Sequence, residues 1–189
     1  MTFFLETARL ALKPHTQANA EKLNAWENDP ELLYYNDDQP EDRIPESLED
    51  TRTFLERITQ NEERSRILHY AIHLKANDEL IGNGMIGFID RYNRSCRLGI
   101  TIGEKRYWGS GLGREALAAV IAYCFETLGM NRLGAEVYAF NLRSIQLFEG
   151  LGFRREGVIR QSVWKNGGFS DEYLYGLLRD EWQPGRPHD

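Results

Sequence analysis

Residues 107–119 read Tyr-Trp-Gly-Ser-Gly-Leu-Gly-Arg-Glu-Ala-Leu-Ala-Ala. Gly109, Gly111 and Gly113 alternate with Ser110 and Leu112 at the mouth of a run of good helix formers. Residues 97–102 just upstream read as a strand. A strand, a glycine turn and a helix start together make an anion site. Glycines let backbone N–H groups approach a ligand closely, and the first helical turn adds unpaired N–H groups and a positive dipole end. A pyrophosphate is the natural guest.

Glycine spacing alone leaves alternatives open. The dinucleotide fingerprint needs G-x-G-x-x-G, and the spacing here is Gly109-x-Gly111-x-Gly113. A phosphate-binding P-loop needs a closing Gly-Lys-Ser/Thr, which is missing. A glycine-rich turn without any ligand remains the bland reading of this segment.

Outward from the loop, the chain alternates strands and helices. Residues 9–13 alternate like a strand ended by Pro14, and Thr16 can cap a helix reaching about Glu27. Ser47 opens a second helix with Thr51, Phe54, Leu55 and Ile58 at helical spacing. Strands follow at 68–74, 80–89 and 97–102, with turns at Asn77-Asp78 and Asn93-Arg94-Ser95. Past the glycines, Leu112, Ala116, Leu117, Val120, Ile121, Cys124 and Leu128 form one apolar stripe that Gly129 can end. Residues 133–139 read as a strand and 141–151 as a helix that Gly152 stops. A last pair of strands, 153–164 and 169–178, turns at Asn166-Gly167-Gly168. The order β-α-α-β-β-β-α-β-α-β-β predicts an α/β (α+β) fold, a mixed sheet with helices on both faces.

The 189 residues suit one domain, 1–182, with a short tail at 183–189. No apolar run approaches the roughly 20 residues of a membrane span. The first residues lack the basic and apolar regions of a signal peptide, so a cytoplasmic location is expected. Cys96 and Cys124 form no metal cluster, the four histidines are scattered, and no metal is expected. A net charge of −6 argues against nucleic acid as a partner. That charge is uneven. Residues 27–50 hold ten acids and one base (−9), leaving 22 bases and 19 acids (+3) elsewhere. The bland reading is a solvated acidic face. The sharper one is a wall for cationic substrates, with Tyr34, Tyr35, Asp37 and Asp38 as candidate binding residues.

The glycine loop, Asn141, and Glu149-Gly150-Leu151-Gly152-Phe153 followed by Arg155-Glu156-Gly157 resemble the GNAT N-acetyltransferases. The Tyr-Trp-Gly-x-Gly phrase, the opening Thr7-Ala8-Arg9-Leu10-Ala11-Leu12 and Gly167-Gly168-Phe169-Ser170-Asp171-Glu172-Tyr173 resemble the branch that acetylates ribosomal-protein N-termini. The resemblance covers nearly the whole chain. It implies a mixed, mostly antiparallel sheet flanked by helices, whose fourth and fifth strands splay apart to admit acetyl-CoA. It implies that the backbone of Ile102, Gly103 and Glu104 pairs with the pantetheine arm. It further implies that Trp108, Gly109, Ser110, Gly111, Leu112, Gly113 and Arg114 hold the pyrophosphate, with Asn141, Ser144 and Phe148 also against the cofactor.

Two positions depart from the family pattern. Trp108 stands where a polar phosphate contact is usual, and Arg106 or Arg114 is expected to supply the charge. Phe148 stands where many relatives place the tyrosine that protonates the leaving thiolate. Ser144, one helical turn from Asn141, is the alternative acid, or else it only orders the helix start or bonds CoA.

The implied reaction is direct attack of a primary amine on the thioester, with backbone N–H groups near residues 99–102 stabilising the oxyanion. At pH 7 a lysine-like amine is neutral in about one molecule in 2,500, an α-amino group in roughly one in seven. An alkyl amine therefore needs a base, and Glu104 and Glu136 are the candidates. A protein N-terminus, a polyamine, an aminoglycoside and an amino sugar all suit an acidic cleft. Pairing through the last strands would give a homodimer. A CoA-binding module without catalysis is the competing reading.

Overall fold

The computed structural model describes residues 3–36, 44–60 and 66–183. An eight-stranded sheet runs β1 (Leu5–Glu6), β2 (Leu10–Lys13), β3 (Leu68–Leu74), β4 (Leu80–Asp90), β5 (Ser95–Ile102), β6 (Arg132–Tyr138), β8 (Gly168–Leu178), β7 (Arg154–Lys165). Every neighbouring pair is antiparallel except β5 with β6. Among the described residues five α-helices flank it: α1 (Ala20–Glu27), α2 (Pro30–Asn36), α3 (Leu48–Gln60), α4 (Leu112–Ala122) and α5 (Leu142–Gly150).

Local chemistry explains where these elements begin and end. Thr16 N–H donates to Asn19 Oδ1 at 2.8 Å, opening a short 3-10 turn that leads into α1. At α3, Ser47 and Asp50 cap each other: Asp50 N–H donates to Ser47 Oγ at 3.1 Å, and Ser47 N–H to Asp50 Oδ2 at 3.2 Å. This is a capping box with a shorter carboxylate than the usual glutamate. Asn166 and Gly167 both take positive φ, as the tight turn between β7 and β8 requires.

The apolar stripe read from the sequence is the inner face of α4. Ala116, Leu117, Val120 and Cys124 are fully buried, and the chain then widens into a π-helical turn, Tyr123–Thr127. Leu10, Leu12, Ile72, Ile81, Ile86, Leu133 and Leu177 meet this stripe from the sheet. A second, smaller cluster of Ala20, Leu23 and Leu55 joins α1 to α3.

Two elements were not expected. Helix α2 lies inside the acidic stretch, and its seven residues are too few to show a period. Strand β1, of two residues, extends the sheet beyond β2. The expected fourth and fifth strands are therefore β5 and β6.

The sheet opens between those two strands. β5 and β6 pair in parallel at only three positions, Ser95↔Arg132, Cys96↔Leu133 and Arg97↔Gly134. Beyond them β6 stays paired to β8 as far as Tyr138↔Glu172, and β5 stays paired to β4 as far as Ile102↔Gly82. The result is a wedge with one strand backbone on each side. Among the described residues, no helix is long and apolar enough to cross a membrane.

Candidate active site

Two cavities occupy the wedge. One, of about 430 Å³, lies beside the glycine loop and the start of α5. The other, of about 700 Å³, lies between α1, α3, β4 and β6. Six residues line both: Tyr35, Asn36, Ile100, Thr101, Asn141 and Ser144. These six form a throat through the open sheet.

The smaller cavity is built around backbone. Gly109 (φ +75°) and Gly111 (φ +79°) turn the chain in the left-handed region, which strains any L side chain. Glu115 N–H is bonded back to Gly111 O at 3.0 Å. Leu112, Gly113 and Arg114 therefore form the first turn of α4, whose N–H groups have no partner within the helix. Gly109, Gly111, Gly113, Arg114, Trp108, Ile102, Asn141 and Ser144 all line this cavity. Among the described residues, Arg114 and Arg143 are its charged lining residues and no carboxylate lines it.

Several expected contacts are otherwise engaged. The Trp108 indole N–H donates to Ile102 O at 2.6 Å, and Glu104 N–H donates to Ile81 O at 3.1 Å. Gly103 lies against Trp26, where a Cβ would overlap the indole. Gly103, Glu104, Ser110 and Leu112 line neither cavity. The exposed edge of β5 in the wedge is thus Ile100, Thr101 and Ile102 rather than residues 102–104.

Glu104 pairs with Lys22 at 3.0 Å and Arg106 at 3.9 Å. Arg106 is also pinned to Glu79, so it lies outside the cavity where a phosphate charge was expected. Arg114 does line that cavity, while its Nη2 donates to Gly150 O at 2.6 Å. Arg143 was not anticipated. Its guanidinium lies 4.3 Å from the Trp108 ring and 5.7 Å from the Tyr35 ring.

At the throat, Asn141 caps α5. Its Oδ1 accepts from Ser144 N–H at 3.1 Å, and its Nδ2 donates to Tyr35 O at 3.3 Å. One side chain thus fixes the helix start and ties α2 to α5. Phe148 is buried, packed on Phe153 at 5.1 Å and stacked over Tyr175 at 6.4 Å. It lines the larger cavity only.

Among the described residues, five carboxylates (Glu27, Glu46, Asp50, Glu136 and Glu172) and two guanidiniums (Arg57 and Arg97) line the larger cavity, a formal balance of −3. Its histidines do not offset this at neutral pH. Burial, with His69 nearby, pulls His15 down to about 4, and burial also lowers His69. Glu136 pairs with Arg97 across the opening at 2.6 Å. Tyr35 lines both cavities, whereas Tyr34 packs on Phe140 at 4.8 Å and lines neither. Asp37 and Asp38 lie outside the described residues. Among the described residues there is no group of acids, histidines and cysteines fit to hold a metal. Cys96 and Cys124 are buried together with sulfurs 3.9 Å apart.

Residues 9–154 match the acetyltransferase (GNAT) domain family. An uncharacterised N-acetyltransferase, p20, of Bacillus licheniformis is 30% identical over 178 residues, which cover 94% of this chain and 97% of that protein. The ribosomal protein uS5-alanine N-acetyltransferase of Escherichia coli is 38% identical over 92 residues, 49% of this chain and 47% of that one. The solved spermidine N-acetyltransferase of Vibrio cholerae, in complex with CoA and spermine, superposes with a TM-score of 0.80 at 19% identity. That superposition covers 93% of this chain and 98% of the other.

Proposed function

The chain belongs to the GNAT acetyltransferase family, and from that premise we propose that it moves the acetyl group of acetyl-CoA to a primary amine by direct attack in a ternary complex. The observation that carries this reading is the pair of cavities of opposite charge meeting at one throat. The side with arginines, glycine N–H groups and, among the described residues, no carboxylate suits a nucleotide anion. The side with five carboxylates suits a cation. The acetyl group is handed over where they meet.

The chemistry required of the residues is modest. The edge of β5 at Ile100–Ile102, released from β6, offers backbone N–H groups to the cofactor arm and to the oxyanion of the tetrahedral intermediate. The amine attacks the thioester carbonyl, the C–S bond breaks, and the thiolate takes a proton. Ser144 lines both cavities, so its hydroxyl is the proposed proton donor to the thiolate, in place of the tyrosine that Phe148 replaces. Glu136, in the acceptor cavity, is the proposed acceptor of the amine proton, directly or through water.

The acceptor is a small cationic amine or a protein N-terminus, with Tyr35 and the carboxylates around it as recognition groups. Strand β7 is an outer edge of the sheet, with Val158 and Ile159 exposed. Pairing of two such edges is the proposed route to a homodimer.

Initial rates with acetyl-CoA and acceptor both varied test the order of events. A ternary complex gives intersecting reciprocal plots. Parallel plots, the mark of a covalent acetyl-enzyme, would overturn direct attack.

A further inference from the structure

Among the described residues, Arg143 lines the cofactor cavity without a carboxylate partner. Among the described residues, Arg106 is taken by Glu79, Lys105 by Asp29 and Arg9 by Glu115, and Arg114 is bound to the Gly150 carbonyl. Arg143 instead rests on aromatic rings, Trp108 at 4.3 Å and Tyr35 at 5.7 Å, with no carboxylate partner among the described residues. Trp108 is itself fixed by its bond to Ile102 O, so the shelf under the guanidinium is rigid. A planar guanidinium keeps its in-plane N–H donors free while its face is stacked. Those donors border a cavity lined by no acid among the described residues.

The backbone N–H groups at residues 112–114 serve one anion. Arg143, on α5, lines the same cavity from over the Trp108 ring and can meet a second. On the reading that this cavity holds acetyl-CoA, we propose that Arg143 is a specificity-determining residue that reads the 3′-phosphate of the CoA ribose. The pyrophosphate is left to the glycine loop. Trp108 then has a purpose of its own: its indole carries the guanidinium that meets the second phosphate.

The test compares calorimetric binding of CoA and 3′-dephospho-CoA to wild type, Arg143→Ala and Arg143→Lys, with melting curves as the check on folding. Wild type should prefer CoA by roughly tenfold or more, Arg143→Ala should bind both alike at the wild-type dephospho-CoA affinity, and Arg143→Lys should recover part of the preference. An equal loss for both ligands in Arg143→Ala would overturn the proposal and give Arg143 to the pyrophosphate. Unchanged preference in that variant would overturn it too. Failure of wild type to bind either ligand would instead overturn the cofactor assignment on which the proposal rests.

Discussion

Arg9 and Glu115, 106 positions apart, are joined twice: Arg9 N–H donates to Glu115 Oε1 at 2.8 Å, and Arg9 Nε to Oε2 at 2.6 Å. Thr7 Oγ1 adds a third bond to Oε1 at 2.6 Å, and Arg9 Nη1 reaches Ser110 O at 3.2 Å. The start of the chain therefore grips both the glycine loop and the first turn of α4. Burial would raise the Glu115 pKa, but the bonds from Thr7 and Arg9 outweigh it and hold it below the usual carboxylate range. The Thr-x-Arg-Leu opening has a mechanical reason to stand where it does.

Glu115→Ala should leave this loop without its anchor. The expected outcome is a loss of about 1–3 kcal/mol in denaturant unfolding and a several-fold higher Kd for acetyl-CoA, with the acceptor KM unchanged. A normal acetyl-CoA affinity in a destabilised variant would show that the brace supports the fold but not the loop.

Gly103→Ala drives a methyl group into the Trp26 indole, which belongs to α1. Overpacking of this kind costs roughly 1–3 kcal/mol. Trp26→Leu in the same chain should relieve part of that cost, which a double-mutant cycle in urea would measure. Strict additivity would mean that the two residues do not press on each other.

Ser144 and Glu136 separate by kinetics. Ser144→Ala should lower kcat while leaving acetyl-CoA binding near wild type. Glu136→Gln should move the acidic limb of the pH–rate profile for an alkyl amine, and less so for an α-amino acceptor. An unchanged profile for both acceptors removes Glu136 from the reaction.

His15 makes the fold sensitive to mild acid. Its native pKa is lowered from 6.5 to about 4, by burial first and then by His69. Above 6.5 the group is neutral folded and unfolded, and contributes nothing. As pH falls from 6.5 towards 4 the unfolded chain takes the proton and the folded one refuses it. Stability should drop by about 3 kcal/mol across that window. His15→Leu should flatten the slope between pH 6.5 and 4.5, before most carboxylates titrate. An identical slope in the variant would place the acid sensitivity elsewhere.

The fold was legible where local signals agreed. The buried stripe from Leu112 to Cys124, the caps at Thr16 and Ser47, and the Asn166-Gly167 turn each follow from spacing or φ preference. The glycine turn at the mouth of α4 was legible for the same reason, since its glycines lie together in sequence. What escaped was set by tertiary approach. Arg143 follows Asn141 by two positions, yet its place over Trp108 depends on how α5 meets the loop. Glu104 ends a strand like a catalytic acid, but Lys22 from α1 faces it. Glu136 meets Arg97 only because β5 and β6 run parallel in one register.

The most direct measurement is thiol release from acetyl-CoA across a panel of amines, with the products weighed by mass spectrometry. The panel holds short peptides with different N-termini, spermidine, an aminoglycoside and an amino sugar. The account predicts turnover with at least one cationic amine and an acetyl group on its nitrogen. Tight acetyl-CoA binding with no N-acetylated product from any amine would contradict it.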